Sequence, residues 1–269
     1  MLKSLCYFSL LLFAGFPVAI SAHDPAETVP IAITKESPDT KPAALSKGFS
    51  LKQLNFDPSA SVEAQKQKSG VEFSSFKPGL IWSGERPLFF PETIVIGGED
   101  EFPITDVISS GANLFGLYGN DHYQTRVISV IDQNRHRSFE FTAFAHGDIA
   151  SCALEDGILY YTTVEGNVGE KHNARLHAFS INDRKQLWAS DSGVAHGNFI
   201  VRKNHILTHF GFTAEEDYLC VIDRGNGNVL KKEKLKTAAN CLIEEEDGTI
   251  TVPAYTGVYR YELIGKGAE

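Results

Sequence analysis

Val127–Phe139 (VISVIDQNRHRSF), Leu176–Trp188 (LHAFSINDRKQLW) and Leu219–Lys231 (LCVIDRGNGNVLK) align without a gap over thirteen residues. Their starts are 49 and 43 residues apart, and a shortened copy, Val258–Glu262 (VYRYE), begins 39 residues after the third. Each copy opens on an alternating apolar run, turns through Asn, Asp or Gly, and closes on a second short run. That is the pattern of two half-buried strands around a turn. Upstream of each copy sits a further pair of runs: Asp106–Tyr118, Asp148–Tyr161, Asn198–Phe210 and Asn240–Ala254. Every pair begins with Asp or Asn and turns at Asn113, Asp156-Gly157, Asn204 or Asp247-Gly248. Asp-Gly suits a tight hairpin because both residues tolerate positive φ.

One unit is therefore a four-stranded meander, repeated at the period of about 40 to 50 residues that marks propeller blades. No stretch after Gly70 keeps a helical period for the length of an ordinary helix, so the region is all-β. The expectation is a small β-propeller of four four-stranded blades, with room for a degenerate fifth between Val71 and Pro103. The last unit stops at its third strand near Leu263, and the ring is expected to be closed by an N-terminal strand, which removes an open sheet edge. Leu80–Ser83 and Thr93–Ile96 are the candidates for that strand. Trp188 ends a strand where another copy has Phe139, which places it in a core.

The thirteen-residue segments resemble the repeat of pyrroloquinoline-quinone-type (PQQ-like) β-propellers, where a Leu-Tyr-Ala-Leu-Asp strand meets a Thr-Gly turn and then a strand carrying Trp. Leu176, Ala178, Phe179 and Trp188 match in one unit; Leu219, Val221, Asp223, Gly227 and Val229 match in the next. The resemblance covers Asp106–Leu263 and implies the propeller fold. Such repeats occur both in quinone-dependent dehydrogenases and in non-catalytic binding or assembly scaffolds. Arg135 and Arg184 stand where the turn glycine is usual, and no two cysteines are adjacent, so a bound quinone is not expected.

Outward from the repeats, Lys3, the apolar run Leu5–Phe16 and the small residues Ala19–Ala22 have the layout of a secretory signal peptide. Gly15 and Pro17 break the run short of the roughly 20 apolar residues of a membrane span. We expect residues 1–22 to be a signal peptide and the mature protein to be periplasmic or secreted. Residues 23–69, rich in Pro, Ala, Ser, Lys and Gln, read as a flexible linker. Within them Leu51–Phe56 is the one place suited to docking on the domain, and Val62–Lys68 suits a short helical turn. Residues 70–269 are the propeller domain.

The formal charge of -9 argues against nucleic acid as a partner. Cys152, Cys220 and Cys241 lie beyond the leader, an odd number that permits at most one bridge and leaves the fold to its apolar core.

Ala145-His146-Gly147-Asp148 recurs as Ala195-His196-Gly197-Asn198 at the place where the chain enters an innermost strand, with Asp106 and Asn240 equivalent in the other units. Asp106, His146, Asp148, His196, Asn198 and Asn240 are the candidate ligand-binding residues. His146, His196 and Asp148 are the candidate metal ligands for a divalent cation, since oxygens suit calcium and imidazoles suit zinc or copper. The competing reading is that these side chains cap turns between blades and satisfy backbone groups. His205 and His209 share one face of a strand with a gap between them and read as packing. The acidic run Glu244–Asp247 reads as a hairpin tip, and the loops Glu165–Asn173 and Thr213–Asp217 as a polar rim. No hydrolase elbow, zinc-protease helix, phosphate loop or dinucleotide fingerprint occurs. The reading is a non-catalytic binding or scaffolding module for a protein or small-molecule ligand. The alternative is a metal-dependent enzyme with a His/Asp site at the channel mouth.

Overall fold

In a computed structural model of the chain, the described residues are 49–58, 90, 92–96, 100–110, 113–120, 125–132, 137–142, 147–165, 173–212 and 215–265. They are all strand, turn and loop. In chain order the strands are β1 Phe49–Asp57, β2 Thr93–Ile96, β3 Asp100–Ser110, β4 Asn113–Gly119, β5 Thr125–Asp132, β6 Arg137–Thr142, β7 Asp148–Glu155, β8 Ile158–Glu165 and β9 Asn173–Ser180. They continue as β10 Lys185–Ala189, β11 Ile200–Val201, β12 His205–Phe210, β13 Tyr218–Asp223, β14 Val229–Lys234, β15 Ile243–Glu244, β16 Ile250–Ala254 and β17 Gly257–Gly265.

The strands form four antiparallel sheets: β3-β4-β5-β6, β7-β8-β9-β10, β11-β12-β13-β14 and β15-β16-β17-β1, with β2 added to the first through the leading half of β3. This is a β-propeller of four-stranded blades. Each thirteen-residue copy supplies the third strand, turn and fourth strand of a blade, and each upstream pair supplies the first and second. Alternation then turns one set of side chains toward each neighbouring blade. Ile108, Phe115, Leu117 and Ile128 of the first blade pack with Ile149, Leu159, Tyr161 and Phe179 of the second. Tyr160, Leu176, Ala178 and Trp188 on its other face pack with Ile206, Cys220 and Ile222 of the third. Leu207, Leu219 and Val221 meet Val252, Ala254, Tyr259 and Tyr261 of the fourth. Three apolar layers thus join successive blades.

Trp188 is 8% exposed in the second of those layers. Its ring lies so close to Gly227 that a Cβ there would come within 2.5 Å of it, and Gly227 also holds φ at +76°. Close approach and positive φ both require glycine at that turn. Arg184, in the equivalent turn of the preceding blade, adopts φ +53° without being glycine, which is a sterically costly region for a long side chain.

The fourth blade corrects the expectation about closure. Its missing strand comes from the N-terminal side, but it is β1, paired antiparallel with β17 from Phe49↔Gly265 to Asp57↔Val258. Thr93–Ile96 pairs instead with β3 in the first blade, and Leu80–Ser83 lies outside the described residues. The stretch read as linker therefore contains a strand at 49–57, around the Leu51–Phe56 segment that has the apolar residues to dock. The physical reason is a bulge. Leu51 and Phe56 are five residues apart, which puts them on opposite faces of a regular strand. The register slips between Gln53 and Asn55, so that Leu51 meets Leu263 and Phe56 meets Tyr259, which are four apart on one face. Val62–Lys68, Arg135, the leader and most of Val71–Pro103 lie outside the described residues. Cys152, Cys220 and Cys241 are all buried, and Cys220 does not pair with Cys241.

Candidate functional site

Each first strand, β3, β7, β11 and β15, leaves the same end of its blade, here the front face, and each first hairpin turns at the other, the back face. The connections 211–217 and 235–242 and the turn at Tyr255-Thr256 return to the front. The candidate residues Asp106, Asp148, Asn198 and Asn240 accordingly occupy the front ends of the four blades. His146 lies outside the described residues. Among the described residues no three of His, Cys, Asp and Glu are grouped to hold a metal ion.

The recurrence of Ala-His-Gly has a backbone cause. Gly147 and Gly197 take φ of +83° and +90°, and a Cβ on Gly147 would come within 2.3 Å of the Val164 carbonyl oxygen. The Gly197 carbonyl accepts a 2.9 Å hydrogen bond from the Thr162 hydroxyl of the preceding blade. Asn198 is a cross-blade tie: its amide donates to the Leu242 carbonyl and its oxygen accepts from the Leu242 N–H, both at 2.8 Å. Asn240 donates its own backbone N–H to Pro253 at 2.8 Å. Asp106 is buried just beyond a bulge in β3, and Asp148 is half-buried at the start of β7. For Asn198 the turn-capping role accounts for the side chain completely.

His196 is different. Its backbone N–H donates to the His209 carbonyl at 2.7 Å, and its ring lies 4.2 Å from Phe212 and 5.7 Å from His209, centroid to centroid. His209 is 1% exposed, and neither ring nitrogen has a hydrogen-bond partner among the described residues. Burial, reinforced by the neighbouring His196, pulls its pKa down to about 3. His205 is pulled down to about 4 by burial and then by the positive charge of Arg202. Nearby, Asp217 presses one carboxylate oxygen against Gly211, and burial raises its pKa despite Lys234. The third blade thus has a cluster of buried imidazole and aromatic rings at its front end. On the same face of the fourth blade are Tyr255, 85% exposed at a hairpin tip, and the Thr237–Thr256 hydroxyl pair at 3.0 Å.

The back face is built from charge. Arg224 donates to the Tyr160 hydroxyl at 2.9 Å and to the Asp156 carboxylate at 2.8 Å, both on the second blade, and its own carbonyl accepts the Trp188 indole N–H at 3.1 Å. Arg202 reaches the fourth blade, 2.6 Å from Glu244 and 3.0 Å from the Gly248 carbonyl. Glu244, in the acidic run, is therefore an ion-pair partner.

Neither a protein-family model nor a curated protein matches the sequence. Among solved structures, the computationally designed Ika4 protein is similar at 13% identity and TM-score 0.43, over 59% of this chain and 89% of that one. BamB from Moraxella catarrhalis is similar at 12% identity and TM-score 0.41, over 60% of this chain and 44% of BamB. Hydrazine synthase of Kuenenia stuttgartiensis is similar at 12% and 0.44, over 63% of this chain and 54% of that one. The chain thus spans about half the length of the latter two.

Sequence reasoning singled out His196 but placed His209 with simple packing, and it passed over Phe212, Tyr255 and Arg224. A tyrosine at the tip of a hairpin whose first strand is fully buried was a usable signal. Nothing local marks Arg224, whose partners lie 64 and 68 residues away.

Proposed function

We propose that the protein is an exported, non-catalytic propeller that binds a protein or small-molecule partner at its front face. One contrast carries the reading. The back of the blades is tied shut by arginines, while the front offers loops, a fully presented tyrosine and a cluster of buried rings. Exposed aromatic anchors over a rigid scaffold are what recognition surfaces use, because a two-torsion side chain loses little entropy on binding. Acidic net charge leaves phosphate backbones disfavoured as partners. Among the described residues no helix is long and apolar enough to cross a membrane.

Photo-crosslinking residues introduced at Tyr255 and at Arg184, exposed on the back, test this in the producing cell. The expected result is one identified partner crosslinked through position 255 and not through 184, with Tyr255→Ala weakening capture while shifting stability by no more than about 0.5 kcal/mol. Equal crosslinking from both faces would sink it. A stoichiometric metal in the purified protein that disappears in His196→Ala would move the assignment to a metal-dependent enzyme.

A further inference from the structure

The fourth blade is assembled differently from its neighbours. In the second and third blades the outer strands β10 and β14 follow their third strands through turns of a few residues, and β6 follows β5 likewise. β1 reaches β17 across most of the chain, so its docking is an association between separate segments. What holds it is largely backbone. Leu51 is its one buried side chain among those described; Lys52, Gln53, Leu54 and Asn55 are exposed. Half-buried Phe56 lies tilted against Tyr259, ring centroids 4.5 Å apart, beneath the Lys236 ammonium, 5.0 Å from the ring centre. Lys52 and Glu262 form an exposed 3.5 Å ion pair, worth little. Every one of these contacts is the same whether β1 belongs to the same molecule or to another.

Chain length leaves both arrangements open. Residues 59–89 connect the strand to Phe90, which packs with Val107 and Leu114 on the first blade. A connection of that length reaches at most about 100 Å, and such a tether holds the strand near its own blade at an effective concentration of order millimolar. A second molecule competes once protein concentration approaches that range.

We propose that β1 is an exchangeable clasp, and that the edge of β17 accepts β1 from a second copy of this chain to give a reciprocal strand-swapped dimer. Exchange of an identical element closes with two-fold symmetry and adds no new side-chain contact. This rests on the topology of the fourth blade and not on the binding role assigned to the front face.

The test uses the exposed register pair Lys52↔Glu262. Lys52→Cys and Glu262→Cys are made separately in the full chain, mixed over roughly 10 µM to 1 mM, incubated and oxidised. A disulfide joining two chains is expected, rising with concentration to at least about fivefold above a Lys52→Cys plus Lys185→Cys control, which measures random collision. The double variant Lys52→Cys/Glu262→Cys should cross-link within one chain when dilute. Intramolecular cross-linking of the double variant without any excess of the mixed dimer over the control would overturn the exchange. Failure of the double variant to cross-link at all would remove the β1–β17 docking and overturn it too.

Discussion

The front and back of the propeller join neighbouring blades by different chemistry. At the back, one guanidinium spans each of two boundaries: Arg224 from the third blade to the second, Arg202 from the third to the fourth. At the front the same boundaries are crossed by bonds to main chain: Thr162 to Gly197 and the Lys232 ammonium to the Gly193 carbonyl between the second and third blades, and Asn198 to Leu242 between the third and fourth. Charge-assisted forks hold geometry strongly but commit the surface around them. Ties that end on backbone leave the side chains of the overlying loops free to vary. The arginine ties are therefore gathered at one end of the blades, and the proposed recognition surface lies at the other.

The largest expected effect belongs to the back. Trp188→Ala removes a buried ring together with its bond to the Arg224 carbonyl and should cost about 3–5 kcal/mol in chemical denaturation. A loss below about 1 kcal/mol would mean that the layer between the second and third blades does not depend on it. Arg224→Ala should follow at about 2 kcal/mol, since the guanidinium is only 13% exposed and the Tyr160 hydroxyl loses its donor, whereas Asp156, 79% exposed, is left to water. Arg224→Lys should recover little of it, because a single ammonium does not reproduce the planar fork. Full recovery would make the back-face tie a matter of charge alone.

At the front the sensitive variable is pH. The unfolded chain protonates His209 near 6.5 and the folded protein only near 3, so stability is complete above about 6.5 and falls as pH drops through that window. At pH 5 the loss from this residue is about 2 kcal/mol, and His205 adds to the slope at the back of β12. His209→Leu should flatten the profile between pH 6.5 and 4 in denaturation curves taken at steps of pH. An unchanged slope would show that the imidazole is reached by water. The smallest expected effect is that of Asn198→Ala, about 1–2 kcal/mol for leaving the Leu242 N–H and carbonyl unpaired. If the same substitution abolished partner capture with no change in stability, Asn198 would be a ligand contact instead of a tie.

The candidate site was legible as a set of repeat positions. Repeat alignment put Asp106, Asp148, Asn198 and Asn240 at corresponding blade positions, and all four lie at the front. It did not distinguish their roles. Asn198 turned out to serve Leu242 because the next blade presents a main-chain donor and acceptor there, which only the packing of two blades decides. His209 looked like filler on a strand, and becomes notable only because the connection before β11 lays His196 beside it. Phe212 joins them from a loop whose sequence carries no periodic signal.

The blades themselves were determined locally. Alternating apolar runs specify strands, and Asp-Gly, Asn and Gly specify the turns between them, because strand pairing within a meander needs only residues a few positions apart. Gly147 and Gly197 likewise follow from the positive φ of the turns they occupy, whereas Gly227 answers also to the Trp188 ring of the preceding blade. Closure was a different kind of information. β1 violates the alternation that identifies strands, since its two apolar contacts are five residues apart and become neighbours on one face only through the bulge at Gln53–Asn55. That bulge has meaning only against β17, whose Tyr259 and Leu263 set the spacing from the other end of the chain. A short polar segment cannot declare its strand when the surface that makes it one lies two hundred residues away; the free energy that orders it comes from that surface and from the backbone ladder it completes.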